Sequence, residues 1–381
     1  MNSDRPVILL FTDWYYPGYK AGGPIQSCVN LVRAMASEYR FYVITSDRDL
    51  DSETAYDQVP LNQWTNGIFG EQVFYASPGF INRKWLKQLF EQYPGSRIYL
   101  NSMFSLPFTL LPVWVAARFR SSRIILAPRG MLHPGALGLK SGKKKIFLRI
   151  FRWLGWHKRI CFQATTEEEA GYIKQHFPGA AIRMVGNIPA FREQKPPTLK
   201  KAPGELKLLF LGRLHPTKNL DYVLDLLRRN WQGRIELKLI GEPGPATYVE
   251  KCRTLMKELP PNVQVREYGS LPQQESFEKI LEAHALILPS RGENFGHAIF
   301  EALISGKPVL ISDRTPWREL EAQEAGWDFP LDLPEQFASA IGRLLEMDQE
   351  TYDQWSEGAY RLANNYFGNA AYNTNYRELF T

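Results

Sequence analysis

Short apolar runs alternate with amphipathic helical stretches along this chain, and the alternation restarts after a proline- and lysine-rich break. No other feature limits the possible folds as much. The first run, Val7 to Phe11, is followed by a turn-rich loop to Gly23. Helical spacing then extends from Pro24 to Ser37, with Ile25, Val29, Val32 and Met35 apolar. Further strand candidates are Phe41 to Thr45, Arg97 to Leu100, Arg123 to Ala127 and Ile160 to Ala164. Buried strands alternating with helices predict a parallel sheet covered on both faces. Between Ile188 and Pro203 the pattern lapses, and Pro189, Pro196, Pro197 and Pro203 with several lysines read as an interdomain linker. Beyond it Leu206 to Leu211, Ile235 to Ile240, Val263 to Tyr268, Ala285 to Leu288 and Pro308 to Ile311 are strands, and Leu220, Val223, Leu224 and Leu227 line one helical face.

At 381 residues the chain exceeds what one hydrophobic core usually organises. The expected domains are residues 1–190 and 204–365, with 366–381 as a terminal helical segment. The fold class is α/β, with two doubly wound, Rossmann-like domains. In such sheets ligands bind outside the carboxyl ends of the strands, so the loops after strands are where chemistry belongs.

Several function classes lack their marks. Cys28, Cys161 and Cys252 are far apart and odd in number, which argues for a reducing compartment without disulfides or structural zinc. Val7 to Phe11 is too short for a secretory signal. Phe104 to Ala117, interrupted by Pro107 and Pro112, falls well short of the ~20 residues of a spanning helix and reads as a buried helix. A cytoplasmic protein is expected. No GxGxxG follows the first strand and no GxxxxGK[ST] occurs, so dinucleotide oxidoreduction and P-loop chemistry lack their fingerprints. The net charge of +6 favours anions in general, but without a recognition motif nucleic acid is not an expected partner. Asp47, Asp49 and Asp51 have DxDxD spacing, yet Ser52 and Gln58 stand where a calcium loop needs glycine and glutamate. They read as a polar loop, and no metal is expected.

The segment LPSRGENFGHAIFEALISGKPVLIS, from Leu288 to Ser312, reads as strand, glycine-bearing loop, helix from about His297, a stop at Gly306, and a second strand. The amides of Phe295, Gly296 and His297 open at the helix N-terminus, where unpaired N–H groups and the dipole favour an anion. Glu293 lies in the loop and Glu301 inside the helix, where a carboxylate can accept hydrogen bonds from sugar hydroxyls. The spacing alone says little, since Glu242 with Glu250 and Glu267 with Glu275 share it. In LLFLGRLHPTKNLDYVL a strand ends at Gly212 and a helix begins near Asn219. Arg213 and Lys218 flank the turn, placed to neutralise a diphosphate. Gly22 and Gly23 occupy the equivalent place after the first strand and let the backbone approach a phosphate.

These motifs resemble the retaining glycosyltransferases of family 4, with the GT-B fold and the E-x7-E signature. The resemblance covers essentially the whole chain and is strongest from Leu206 to Leu320. It implies a central cleft between the domains and a terminal helix, Tyr372 to Phe380, that crosses back to the first. It also implies that Glu293 contacts the donor sugar, Glu301 holds the ribose, and Arg213 and Lys218 grip the diphosphate as it leaves. Gly22 and Gly23 match the first domain's glycine loop. ILAPRGMLHPGA resembles the PRGML loop of a subset of these enzymes, with Arg129 and Gly130 where many relatives carry a donor-contacting histidine. Arg129 and His133 are therefore candidates for sugar or acceptor contacts, while His133 reads equally as a packing or surface residue. Trp317, in a TPW segment similar to that subset's, reads as a core or cleft-wall residue.

The activity implied by the resemblance is a metal-independent, cofactor-free transfer from a UDP- or GDP-type sugar to a glycan or polyprenyl-linked hydroxyl. The implied setting is surface polysaccharide synthesis. A nucleotide-sugar 2-epimerase and a catalytically silent sugar- or lipid-binding protein are the alternatives. One biased stretch remains, with Lys140, Lys143, Lys144, Lys145, Arg149, Arg152, Lys158 and Arg159 interleaved with Ile146, Phe147, Ile150, Phe151, Trp153 and Trp156. It reads either as a helix lying on an anionic membrane, making the protein peripheral, or as one packed on its domain with solvated cations.

Overall fold

The computed structural model describes residues 5–119, 122–134, 137, 141–190, 194–369 and 371–381. Lys140, counted above in the basic stretch, lies outside them. The chain divides into two compact units, Met1–Ile188 with Ala371–Thr381, and Pro189–Ala370.

In the first unit the strands are β1 (Val7–Phe11), β2 (Arg40–Ser46), β3 (Trp64–Asn66), β4 (Gln72–Ala76), β5 (Arg97–Leu100), β6 (Arg123–Leu126), β7 (Ile160–Ala164) and β8 (Ala181–Met184). They form an eight-stranded sheet in the order β3-β4-β2-β1-β5-β6-β7-β8, parallel except for β3 against β4. The helices are α1 (Gly23–Met35), α2 (Arg83–Gln92), α3 (Leu111–Ala116), α4 (Ser141–Trp153) and α5 (Glu167–His176). Their starts follow local chemistry. Asn82 Oδ1 accepts from the Lys84 and Trp85 amides at 3.0 and 3.1 Å and opens α2. Thr166 caps α5, whose first turn carries Glu167, Glu168 and Glu169 against the helix dipole. The last helix, Tyr372–Phe380, packs in this unit: Arg97 Nε donates to the Phe380 carbonyl at 2.6 Å, and Arg377 pairs with Glu38 at 2.6 Å.

The second unit holds β9 (Glu205–Leu211), β10 (Arg234–Ile240), β11 (Val263–Gly269), β12 (Ala285–Leu288), β13 (Val309–Ser312) and β14 (Gly326–Phe329). All are parallel, in the order β11-β10-β9-β12-β13-β14. Its helices are α6 (Leu220–Leu227), α7 (Ala246–Lys257), α8 (Gln273–Leu281), α9 (His297–Ile304), α10 (Pro334–Glu346) and α11 (Gln349–Asn369). Each unit encloses its own core, and that of the second is closed by Trp327 stacked on Trp355 at 4.2 Å.

The structure differs from the sequence reading in identifiable places. β3, β8 and β14 are short edge strands, and most of β8 is exposed, so none carries the continuous apolar run that marks an interior strand. β4 is interior, but its apolar stretch, Val73 to Ala76, is brief. The run Phe104 to Ala117 is not one buried helix. Pro107 and Pro112 divide it into a π-helical turn, Leu106–Leu110, and α3, leaving Leu106 and Trp114 exposed. The proline-rich segment after Ile188 belongs to the second unit. There the buried Lys201 ammonium donates to the Ala202, Leu345 and Met347 carbonyls at 2.7, 3.1 and 3.0 Å.

Candidate active site

Strand order places two loops of the second unit together. The chain steps from β9 outward to β10 and β11, then returns to the other side of β9 for β12, β13 and β14. The carboxyl ends of β9 and β12 therefore flank the point where the order reverses, where open parallel sheets bind ligands. The loop after β9 carries Arg213 and Lys218, and the loop after β12 carries Glu293.

Side-chain and backbone bonds stitch these loops to each other. Asn219, held in a left-handed conformation at φ 62° to start α6, donates from Nδ2 to the Pro289 carbonyl at 3.1 Å. The Arg291 amide donates to the Thr217 carbonyl at 2.7 Å. Between these ties the Lys218 ammonium donates to Glu293 Oε1 at 2.5 Å, with Glu293 only 10% exposed and Lys218 27%. The Glu293 amide is fixed in turn by the Arg314 carbonyl at 3.0 Å. His215, bonded through Nδ1 to Thr217 at 2.9 Å, is held below the usual imidazole range by burial and by the nearby Arg213 and Lys218 charges. The loop thus brings two cations, Arg213 and Lys218, together, the second paired with Glu293.

Gly296 starts α9 at φ 78°, a left-handed conformation that strains any residue with a Cβ, and a Cβ there would also displace the tip of Ile299, 2.8 Å away. No side chain caps this helix. Its first-turn amides, His297 onward, have no partner within the helix and can meet an anion. Ile299, Phe300 and Leu303 face the core, which leaves His297 and Glu301, four residues apart, together on the half-exposed face. Phe295 has a buried ring, and its carbonyl accepts from Trp317 Nε1 at 2.7 Å. Any role of Phe295 toward a ligand is through its amide. Trp317 is 4% exposed and anchors the loop from below, in the core.

In the first unit the order reverses between β1 and β5, beside the Gly22–Gly23 turn. Gly22 sits at φ 60° ahead of α1. Pro24 has no N–H, and the Ile25 and Gln26 amides bond to the Gly22 carbonyl at 3.0 and 3.1 Å. The start of α1 is thus not a full open helix N-terminus, and the Gly23 amide is the group of this turn that an anion would meet first. Asp49 holds the preceding loop, accepting from the Tyr19 and Lys20 amides at 2.8 and 3.1 Å, while Asp47 pairs with Arg48 at 2.8 Å. Among the described residues no group of three or more His, Cys, Asp or Glu is arranged to hold a metal ion.

Arg129 is turned inward. At φ 56°, followed by Gly130 at φ 74°, it donates to Asn101 at 2.7 Å, to the Tyr99 hydroxyl at 2.8 Å and to Asn187. Asn101 in turn donates to the Pro24 carbonyl at 3.2 Å. Arg129 braces the glycine turn and the strand ends through one bond from each of its three nitrogens. His133 lies on the surface, edge-on to Tyr172, with Nε2 4.0 Å from Glu168. Sequence reasoning gave no site role to Asn219 or His215 and read Asp49 only as part of a polar loop, without its bonds to the Tyr19 and Lys20 amides. Asn219 alone left a local trace, as an asparagine at a helix start.

Comparison with known proteins follows the same division. Residues 191–362 match the family model described as Glycosyl transferases group 1. A D-inositol 3-phosphate glycosyltransferase of Nocardia farcinica is 30% identical over 122 residues, 29% of this chain and 26% of that protein. A serotype-specific mannosyltransferase, WbdA of Escherichia coli, is 26% identical over 151 residues, 39% of this chain and 18% of that protein. The chain therefore matches about a quarter or less of the length of these two relatives. The crystal structure of Anabaena HepE in complex with UDP-glucose superimposes with a TM-score of 0.69 at 14% identity, covering 98% of this chain and 99% of that one. Residues 191–362 thus carry the sequence pattern of group 1 glycosyl transferases, and the chain has the GT-B fold.

Proposed function

We propose that this protein transfers a glycosyl group from a UDP- or GDP-type nucleotide sugar to a hydroxyl of a glycan or polyprenyl-linked acceptor, with retention at the anomeric carbon. The observation that carries this reading is the juxtaposition of Lys218 and Glu293 at the strand-order reversal, beside the open N-terminus of α9. A nucleotide diphosphate sugar presents both of the groups these residues suit. Its diphosphate matches Arg213, Lys218 and the α9 amides, and its hydroxyls match Glu293 and Glu301.

Charge builds on the diphosphate as the glycosidic bond breaks. Fixed cations and amides already aimed at it lower that barrier without a metal or a cofactor. Retention through a covalent intermediate would require a carboxylate nucleophile within about 5 Å of its acid partner. No residue is assigned that role. The departing phosphate instead accepts the acceptor's proton on the face where the bond forms. The serotype-specific function of the E. coli relative favours a polysaccharide acceptor, assembled at the cytoplasmic face of a membrane to which the protein binds peripherally.

The deciding experiment is a thermal-shift panel of UDP-, GDP- and ADP-sugars. A cognate donor at a hundredfold excess over its dissociation constant adds about 2.7 kcal/mol of stability. No shift with any nucleotide sugar refutes the reading. Incubation with the donor alone separates a transferase from a 2-epimerase, which alters the sugar without an acceptor.

A further inference from the structure

The reaction reading uses the carboxyl ends of the strands. At the amino ends of β6, β7 and β8, on the opposite edge of the first unit's sheet, lies a cavity of about 400 Å³. Arg123, Lys158, Arg159 and Arg183 line it together with apolar residues such as Ile182, and among the described residues no carboxylate does. Some exposed arginines elsewhere sit against acids, as Arg229 does with Glu335 and Arg377 with Glu38, and among the described residues these four cations do not. Like charges gathered without a counter-charge repel one another, and a bound anion relieves that repulsion.

The same stretch of chain supplies an apolar surface. On α4, Leu148 and Phe151 are buried, and Phe147 packs edge-on to Phe104 at 5.1 Å. The opposite face shows Ile146, Ile150, Trp153 and Leu154 at 59, 49, 81 and 42% exposure. Their spacing of four, seven and eight residues makes them one stripe. Lys143, Lys145, Arg149 and Arg152 are exposed beside it. Gly155 then turns the chain into Trp156–Arg159, which delivers Lys158 and Arg159 to the cavity. An apolar, Trp-bearing stripe with cationic flanks is the chemistry of a helix lying in a lipid interface. A site for a free anion has no use for it.

We propose that the cavity of Arg123, Lys158, Arg159 and Arg183 binds the phosphate of an anionic phospholipid headgroup while the α4 stripe inserts beside it. The inference rests on the peripheral-membrane part of the proposed function and assigns it a site. It puts the lipid-docking site at the edge of the first unit's sheet opposite the glycine turn.

The test is sedimentation with phosphatidylcholine vesicles, with and without phosphatidylglycerol. Wild type should bind only the anionic vesicles at low salt. Lys158→Gln with Arg183→Gln, both at exposed positions, should weaken binding about thirtyfold, roughly fivefold per cation. Trp153→Ser should weaken it with the cavity intact. Unchanged melting temperature and nucleotide binding show that each variant is folded, and the single substitutions replace the pair if melting shifts. Wild-type affinity in the cavity variants overturns the headgroup site while leaving α4 docking in place. Absence of binding by wild type overturns the membrane reading altogether. Displacement by millimolar inorganic phosphate at constant ionic strength marks a free-anion site and overturns the lipid assignment.

Discussion

Lys218 and Glu293 pair at 2.5 Å, so a diphosphate that binds Lys218 competes with Glu293 for it. Glu293→Gln removes this competitor and also removes a negative charge that repels the diphosphate. A hydrogen bond to a charged group contributes about 1.5–3 kcal/mol net, and with Lys218 27% exposed the lower part of that range applies. Releasing about 2 kcal/mol strengthens binding roughly thirtyfold. Isothermal titration with UDP and GDP should therefore show the bare nucleotide binding more tightly to Glu293→Gln than to wild type, while turnover falls because the contact with the donor sugar is lost. The Glu293 amide keeps its bond to the Arg314 carbonyl in the variant, so the loop stays in place. Lys218→Met should weaken nucleotide binding in the same assay. If nucleotide affinity is unchanged or reduced in Glu293→Gln while Lys218→Met weakens it, the two side chains do not compete for the diphosphate and the reasoning fails.

Arg213→Ala and Lys218→Ala should each lower turnover by about 3 kcal/mol in the barrier, more than they weaken donor binding. Steady-state kinetics separate the two effects, and near wild-type turnover in both would remove them from the site. Transfer should persist in excess EDTA. Loss of activity that manganese or magnesium restores would bring Asp47, Asp49 and Asp51 back into consideration. Burial, aided by the Lys195 and Lys238 charges, pushes the Lys307 ammonium down to about 8. The folded form then binds fewer protons than the unfolded form between about pH 8 and the ordinary lysine value near 10.4. The resulting penalty is complete below pH 8 and fades as pH rises. Lys307→Met should stabilise the protein by about 2 kcal/mol at pH 7, a relieved penalty of about 3 less about 1 for the lost bond to the Leu281 carbonyl, with no gain above about pH 10.5. Equal gains at both pH values in denaturant titrations would show that the ammonium is not the cause.

Much of the site was legible as local pattern. Leu208, Phe210, Ile287 and Leu310 lie in apolar runs that become interior strands, and the loops after β9 and β12 begin where those runs stop. Burial on both faces writes itself into consecutive residues, and a helix start needs only its own few, as Gly296 illustrates. These features come from the chain read in windows of a few residues.

Tertiary structure decided what no window contains. Lys218 and Glu293 are 75 positions apart and meet because β12 returns to the side of β9 rather than joining β11, a choice of strand order that neither segment encodes by itself. Arg129 stood in a loop whose motif suggested a ligand contact. Only the placement of Asn101, Tyr99 and Asn187 turned its guanidinium inward. The edge strands β3, β8 and β14 exist because neighbouring strands offer them hydrogen bonds, and an edge need not be apolar to be paired. Local sequence records which groups leave water. Which distant groups then meet is set when the strands choose their neighbours.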